Sequence, residues 1–165
     1  MSEETVHQVE VHLTRERPPI RRATFASTGE DAAFGLPGWQ AEHYGFEPGS
    51  VEPHPGTLDY LVGSIAGCLI GTFGGTLRVR KIDATGDRLT ADATGEVVVD
   101  PDGVLRLRRV DVTYHLKADE SQREAAERAH AHHAHHCPNA RSVEGAIEVV
   151  TKLELTPVAE AAPAG

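Results

Sequence analysis

The sequence predicts an α+β domain. Three observations carry the prediction. An apolar, glycine-rich stretch from Leu58 to Phe73 repeats at helical spacing. Two long alternating segments flank Asp100-Pro101-Asp102-Gly103, a strong hairpin signal. A last alternating segment, Ile147, Val149, Thr151, Leu153 and Leu155, follows a second helix signal. The chain has 165 residues, 39% hydrophobic and 25% charged. That is the size of one domain and the composition of a globular one.

Val9, Val11 and Leu13 alternate with polar residues and read as a half-buried strand, with a weaker one at Arg21–Ser27. Residues 29–56 are rich in Gly, Pro and acidic residues and read as a loop with one short strand near Ala41–Phe46. Thr57 is the expected N-cap of the first helix, and Asp59 suits its positive first turn. Gly63, Gly67 and Gly71 share one face of that helix, which predicts close approach of another backbone. Gly74-Gly75 is its expected end. Strands follow at Leu77–Asp83, Leu89–Val99 and Val104–Leu116. In the last, the apolar phase shifts from Leu105 and Leu107 to Val110, Val112 and Tyr114, which a β-bulge near Arg108-Arg109 explains. Asp119-Glu120-Ser121-Gln122 resembles a capping box opening the second helix. One domain over residues 1–156 and a disordered Ala/Pro-rich tail over 157–165 are expected.

With 25 acidic against 16 basic residues and a net charge of −9, the chain argues against a nucleic-acid module. The N-terminus, MSEETVHQVEV, has neither a basic nor an apolar signal-peptide region, so a cytoplasmic location is expected. The apolar run Leu58–Phe73 reads as too short to span a bilayer, so no membrane partner is expected. Two cysteines do not make a disulfide framework.

Those cysteines are the candidate chemistry. Cys68, taken alone, reads as a small buried hydrophobe. Cys137 precedes Pro138, a residue suited to the first helical position, so its thiol is expected at a helix N-terminus with a lowered pKa. Asp59 lies about 13 Å along the helix from Cys68 and on the opposite face, so it is no direct base for it. His130, His132, His133, His135 and His136 form a cluster ending in Cys137. On a helix the pairs His132/His136 and His133/Cys137 have chelating spacing. The alternative is a solvated face with no metal.

Taken together, the segments Pro55-Gly56-Thr57-Leu58-Asp59-Tyr60-Leu61-Val62-Gly63-Ser64-Ile65-Ala66-Gly67-Cys68 and His136-Cys137-Pro138-Asn139-Ala140-Arg141-Ser142-Val143 resemble the two cysteine motifs of the OsmC-like family. That family includes osmotically inducible protein C and the organic hydroperoxide resistance proteins. The resemblance spans residues 5–156. It implies a two-layer α+β fold with antiparallel sheets, a long central Cys-bearing helix and an intertwined homodimer. It also implies a thiol-dependent peroxidase, with an organic hydroperoxide and a dithiol reductant as partners and no cofactor. Carried over, Cys68 is the peroxidatic thiol and Cys137 the resolving one, with Asp59 a further candidate. The hydroperoxidases have a glutamate where Leu58 stands here, paired with an arginine; Arg21 and Arg22 lie on the early strand where one branch places it. Those departures leave open an OsmC-like dimer acting as a redox sensor or small-ligand binder. A metal-binding protein built on His132, His136 and Cys137 is the third reading.

Overall fold

The computed structural model describes residues 4–158. They fall into two compact units, residues 1–60 and 61–165, whose boundary passes through the long helix after Tyr60.

The first unit holds a three-stranded antiparallel sheet, β1 (Val11–Arg15), β2 (Arg21–Phe25) and β3 (Asp31–Phe34), in that order. Val11 and Leu13 lie on a strand as their alternation predicts, paired with Phe25 and Ala23, while Val9 of the expected strand precedes it. They are nevertheless 40% and 65% exposed, so β1 is not half-buried within the chain. Alternation shows that a strand has an apolar face, not that its own chain covers it. The expected strand near Ala41–Phe46 is instead a short helix, α1 (Gly38–His43). Pro37, extended at its N-cap, offers its carbonyl to the N–H groups of Gln40 and Ala41, both at 2.9 Å. Tyr60 closes the unit, its ring 4.7 Å from that of Phe34 and its hydroxyl donating to the Ala33 carbonyl at 3.1 Å.

The long helix, α2, runs Thr57–Val79. Thr57 is its first residue rather than its N-cap. The Asp59 carboxylate reaches back to the Gly56 N–H at 2.6 Å, which is half of a capping box. Nor does α2 stop at Gly74-Gly75. Each glycine costs about 1 kcal/mol of helix propensity, but Phe73 and Leu77 on either side are fully buried and hold the helix together. The segment expected as a strand at Leu77–Asp83 is therefore the last helical turn and its cap. The Ile82 N–H bonds the Leu77 carbonyl, the Lys81 N–H bonds the Arg78 carbonyl, and Lys81 takes a φ of 59°. This is a Schellman cap without its usual glycine, closed by buried Ile82 after Leu77. At 23 residues, α2 is long and apolar enough to cross a membrane, so the expectation from the shorter run does not hold. The fully buried stripe Ile65, Leu69, Phe73 and Leu77 makes it a core helix.

In the second unit that stripe faces a sheet of order β4 (Leu89–Val99), β5 (Leu105–Ala118), β6 (Glu148–Pro157). β4 and β5 form the expected hairpin. Their register jumps between Glu96, opposite Arg109, and Val97, opposite Leu107, so Arg108 is the extra residue of a bulge. The buried positions of β5 accordingly switch from Leu107 to Val110, Val112, Tyr114 and Leu116. β6 pairs parallel to β5, so this sheet is mixed rather than antiparallel throughout. A parallel neighbour requires a crossover, and α3 (Arg123–His133) and α4 (Pro138–Ser142) supply it. Asp119 and Gln122 form the expected capping box, on a 3-10 turn that leads into α3. β6 extends through Pro157, the first residue of the expected tail; residues 159–165 lie outside the described ones.

Gly63, Gly67 and Gly71 would each carry a Cβ without meeting anything within 4 Å, so among the described residues no backbone packs on that face. Within residues 61–165 the close approach is at Gly95 on β4, and it is to side chains. A Cβ there would lie 2.5 Å from Val62 Cγ2 and 2.9 Å from Leu107 Cδ1. Val62 is β-branched and helical, so its χ1 has little freedom to yield. Gly95→Ala is expected to destabilise the fold by about 1–3 kcal/mol in denaturant unfolding; an unchanged midpoint would show that the sheet can shift away.

Candidate functional site

Residues 61–165 bring the two cysteines together. Cys68 lies on α2, one turn after Ser64 and one turn before Thr72, whose hydroxyl donates to the Cys68 carbonyl at 2.9 Å. It is half-buried, not the fully buried residue that a lone helical cysteine predicts. Cys137 is fully buried. It sits at the N-cap of α4 with Pro138 at the first helical position, as its sequence context predicts, and its Sγ accepts the Ala140 N–H at 3.5 Å. Both thiols are free, and each is near enough for the charge of Cys68 to act on Cys137.

The Cys137 thiol does not have the lowered pKa expected at a helix N-terminus. Burial pushes it up, and a thiolate on Cys68 pushes it further; the Ala140 N–H opposes both without prevailing. A helix of 5 residues has little dipole to set against desolvation. The two thiols are thus unlike: one partly open to solvent, the other buried and held protonated.

Beneath Cys137 lies an aromatic cluster that the sequence reading misses. Phe73, Tyr114, His130 and His133 pack ring on ring, with centroids 4.8 Å apart for Phe73–Tyr114 and 5.3 Å for the stacked histidines. His133 Nδ1 lies 2.7 Å from the His130 carbonyl and must donate to it. Its Nε2 is therefore the acceptor, and the Tyr114 hydroxyl donates to it at 2.8 Å. Burial, then the nearby Cys137, pushes the Tyr114 pKa well up. The alternation of β5 marks Tyr114 as inward-facing, but nothing in the sequence pairs it with one histidine of five.

The same cluster occupies one of the residues with chelating spacing. Both ring nitrogens of His133 are engaged, so its helical spacing to Cys137 does not make a chelate. His132 and His136 are exposed whereas Cys137 is buried. Among the described residues, no group of three or more His, Cys, Asp or Glu side chains could hold a metal ion. In the first unit, Asp59 is occupied by the Gly56 N–H. Arg21 donates to the Gly35 carbonyl at 3.2 Å, and Arg22 pairs with Glu16 at 2.6 Å.

A family model described as OsmC-like protein matches residues 49–152. The chain belongs to the OsmC-like family. It is similar in fold to an OsmC-like protein from Mycoplasma pneumoniae (TM-score 0.69, 16% identity, 94% of this chain and 100% of that one). It is likewise similar to an OsmC-like protein of unknown function from Vibrio cholerae (TM-score 0.73, 17% identity, 90% and 100%). A third similar structure is the organic hydroperoxide resistance protein OhrB of Bacillus subtilis (TM-score 0.61, 16% identity, 91% and 100%). No curated protein matches the sequence.

The buried histidines predict a pH dependence. Burial holds His130 and His133 below their ordinary value of 6.5, and His130 Nε2 is buried with no hydrogen-bond partner among the described residues. Below about pH 6.5 the unfolded chain binds protons that the folded chain refuses, so stability is present above that pH and falls as the pH drops through it. His130→Phe keeps the ring and removes the unpartnered nitrogen. Urea unfolding at pH 7.5 and 5.5 is expected to show a smaller loss in this variant than in the wild type; equal losses would exclude His130 as a source.

Proposed function

We propose that this chain is a thiol-dependent peroxidase that reduces organic hydroperoxides, with Cys68 as the attacking thiolate and Cys137 as the resolving thiol. The observation that carries the reading is the meeting of two unlike thiols, one half-exposed and one buried, from distant parts of the sequence. The thiolate of Cys68 attacks the O–O bond, an alkoxide leaves and takes a proton as the alcohol, and Cys68 becomes a sulfenic acid. Cys137 then loses its proton and attacks the Cys68 sulfur; the hydroxyl leaves as water and a disulfide remains. A dithiol reductant restores both thiols by exchange, and a cytoplasmic location fits that step, because such reductants are kept reduced there. A buried, protonated resolving thiol suits this order, because it does not compete with Cys68 for the peroxide.

The test is a count of free thiols before and after one equivalent of cumene hydroperoxide. Loss of two thiols is expected in the wild type, a trapped sulfenic acid on Cys68 in Cys137→Ser, and no peroxide consumption by Cys68→Ser. Two unreactive thiols would refute the peroxidase. They would favour the second reading, a redox sensor or small-ligand binder, which rests on Leu58 standing where the hydroperoxidases have glutamate.

We propose further that the working form is a homodimer joined through the open face of α2. Among the described residues, only 22% of the most apolar stretch of that helix is buried, and its glycine face has nothing within 4 Å. Gly67→Leu is expected to shift the protein from dimer to monomer in sedimentation velocity. A wild-type monomer, or a dimer unchanged by the substitution, would exclude this face.

A further inference from the structure

We infer that Asn139 is a positioning residue for closure of the Cys68–Cys137 disulfide, because its side-chain amide ties the turn carrying Cys137 to the helical turn carrying Cys68. The inference rests on the two-cysteine reading above. Asn139 Nδ2 donates to the Ser64 carbonyl at 2.8 Å and lies 3.5 Å from Ser64 Oγ. Among the described residues these are the only side-chain hydrogen bonds between α2 and α4. In an α-helix the carbonyl of residue 64 accepts the N–H of residue 68. Asn139 thus bonds the same oxygen that holds the Cys68 amide.

At the other end the geometry is equally short. Cys137 is fixed to α4 by its own contact with the Ala140 N–H, one residue beyond Asn139. From one cysteine to the other the path is therefore a capped helical turn, one amide hydrogen bond and one turn of α2. Cys137 is also held by its backbone, whose N–H donates to the Ala134 carbonyl at 3.2 Å and whose carbonyl accepts the Arg141 N–H at 3.0 Å, and its thiol is buried; these restraints lie within its own turn and do not set its direction toward Cys68. Asn139 supplies that direction. A bond that holds two reacting groups in register raises their effective concentration. For a sulfenic acid this matters chemically, since slow resolution leaves it open to a second peroxide and irreversible sulfinic acid.

The experiment equilibrates the full-length chain with mixtures of oxidised and reduced dithiothreitol. In this exchange two protein thiols become a disulfide as oxidised dithiothreitol becomes its dithiol. The disulfide fraction, read by alkylation and mass, gives the effective concentration of the cysteine pair. Asn139→Ala removes the donor. Asn139→Asp keeps the shape, turns the donor into an acceptor facing the Ser64 carbonyl, and remains compatible with the first turn of a helix. Both are expected to lower the effective concentration about two- to tenfold, the span of one neutral hydrogen bond. Under excess cumene hydroperoxide both are expected to accumulate more sulfinic acid on Cys68. An unchanged or raised effective concentration in either folded variant would overturn the inference, as would a wild type that forms no disulfide in dithiothreitol. If hydroperoxide fails to oxidise the protein while the dithiothreitol equilibrium responds to Asn139, the peroxidase falls and the positioning role stands.

Discussion

Within residues 61–165, the packing of α2 on the β4–β5–β6 sheet is the constraint on which the rest is built. Ile65, Leu69, Phe73 and Leu77 form one buried stripe, and Phe73 meets Tyr114 of the central strand. Each such side chain contributes about 1.5–3 kcal/mol by leaving water. That contribution carries the helix across Gly74-Gly75, where propensity alone would end it. The stripe also sets the rotation of α2 about its axis. With Leu69 turned inward, its neighbour Cys68 is left at the edge of the buried face, half open to solvent. Gly95 lets the helix and sheet come close enough for this, because any side chain there would meet Val62.

The parallel pairing of β6 with β5 is the second constraint. It requires the chain to cross over the sheet between them, and the crossover is α3 and α4. Cys137 lies at the joint between those helices, so the crossover delivers it beside α2. Cys137 itself is buried, near Tyr114, which raises the cost of a charge on its thiol. Differences in burial, not in helix dipoles, make the two thiols unlike. Tyr114 and His133 complete the floor by satisfying each other, a neutral pair that needs no water and offers no free ligand.

Much of this was legible in the sequence, for local reasons. The bulge showed as a change of phase between Leu107 and Val110, because a strand's period of two makes one extra residue visible. The capping box at Asp119 and the proline after Cys137 showed because caps are satisfied by residues within one turn. The misreadings share one origin. The end of α2, the helix α1 at Gly38–His43 and the uncovered face of β1 all depend on what packs against a segment, and local propensity does not report that. The glycines mislead for the same reason: the repeated ones on α2 have open space around them, whereas the solitary Gly95 has none.

For the candidate site the division is similar. The sequence by itself determined the cast: an α+β chain with two cysteines, one within a long helix and one at the start of a short one, in the order of the OsmC-like family. Only the tertiary structure decided that these thiols lie near each other, that Cys137 is the buried one with its pKa raised by that burial, and that Asn139 and Ser64 join their elements. Spacing along the chain governs contacts within a helix or strand. Contacts between elements, and the desolvation that sets a thiol's acidity, arise only when distant segments are packed together.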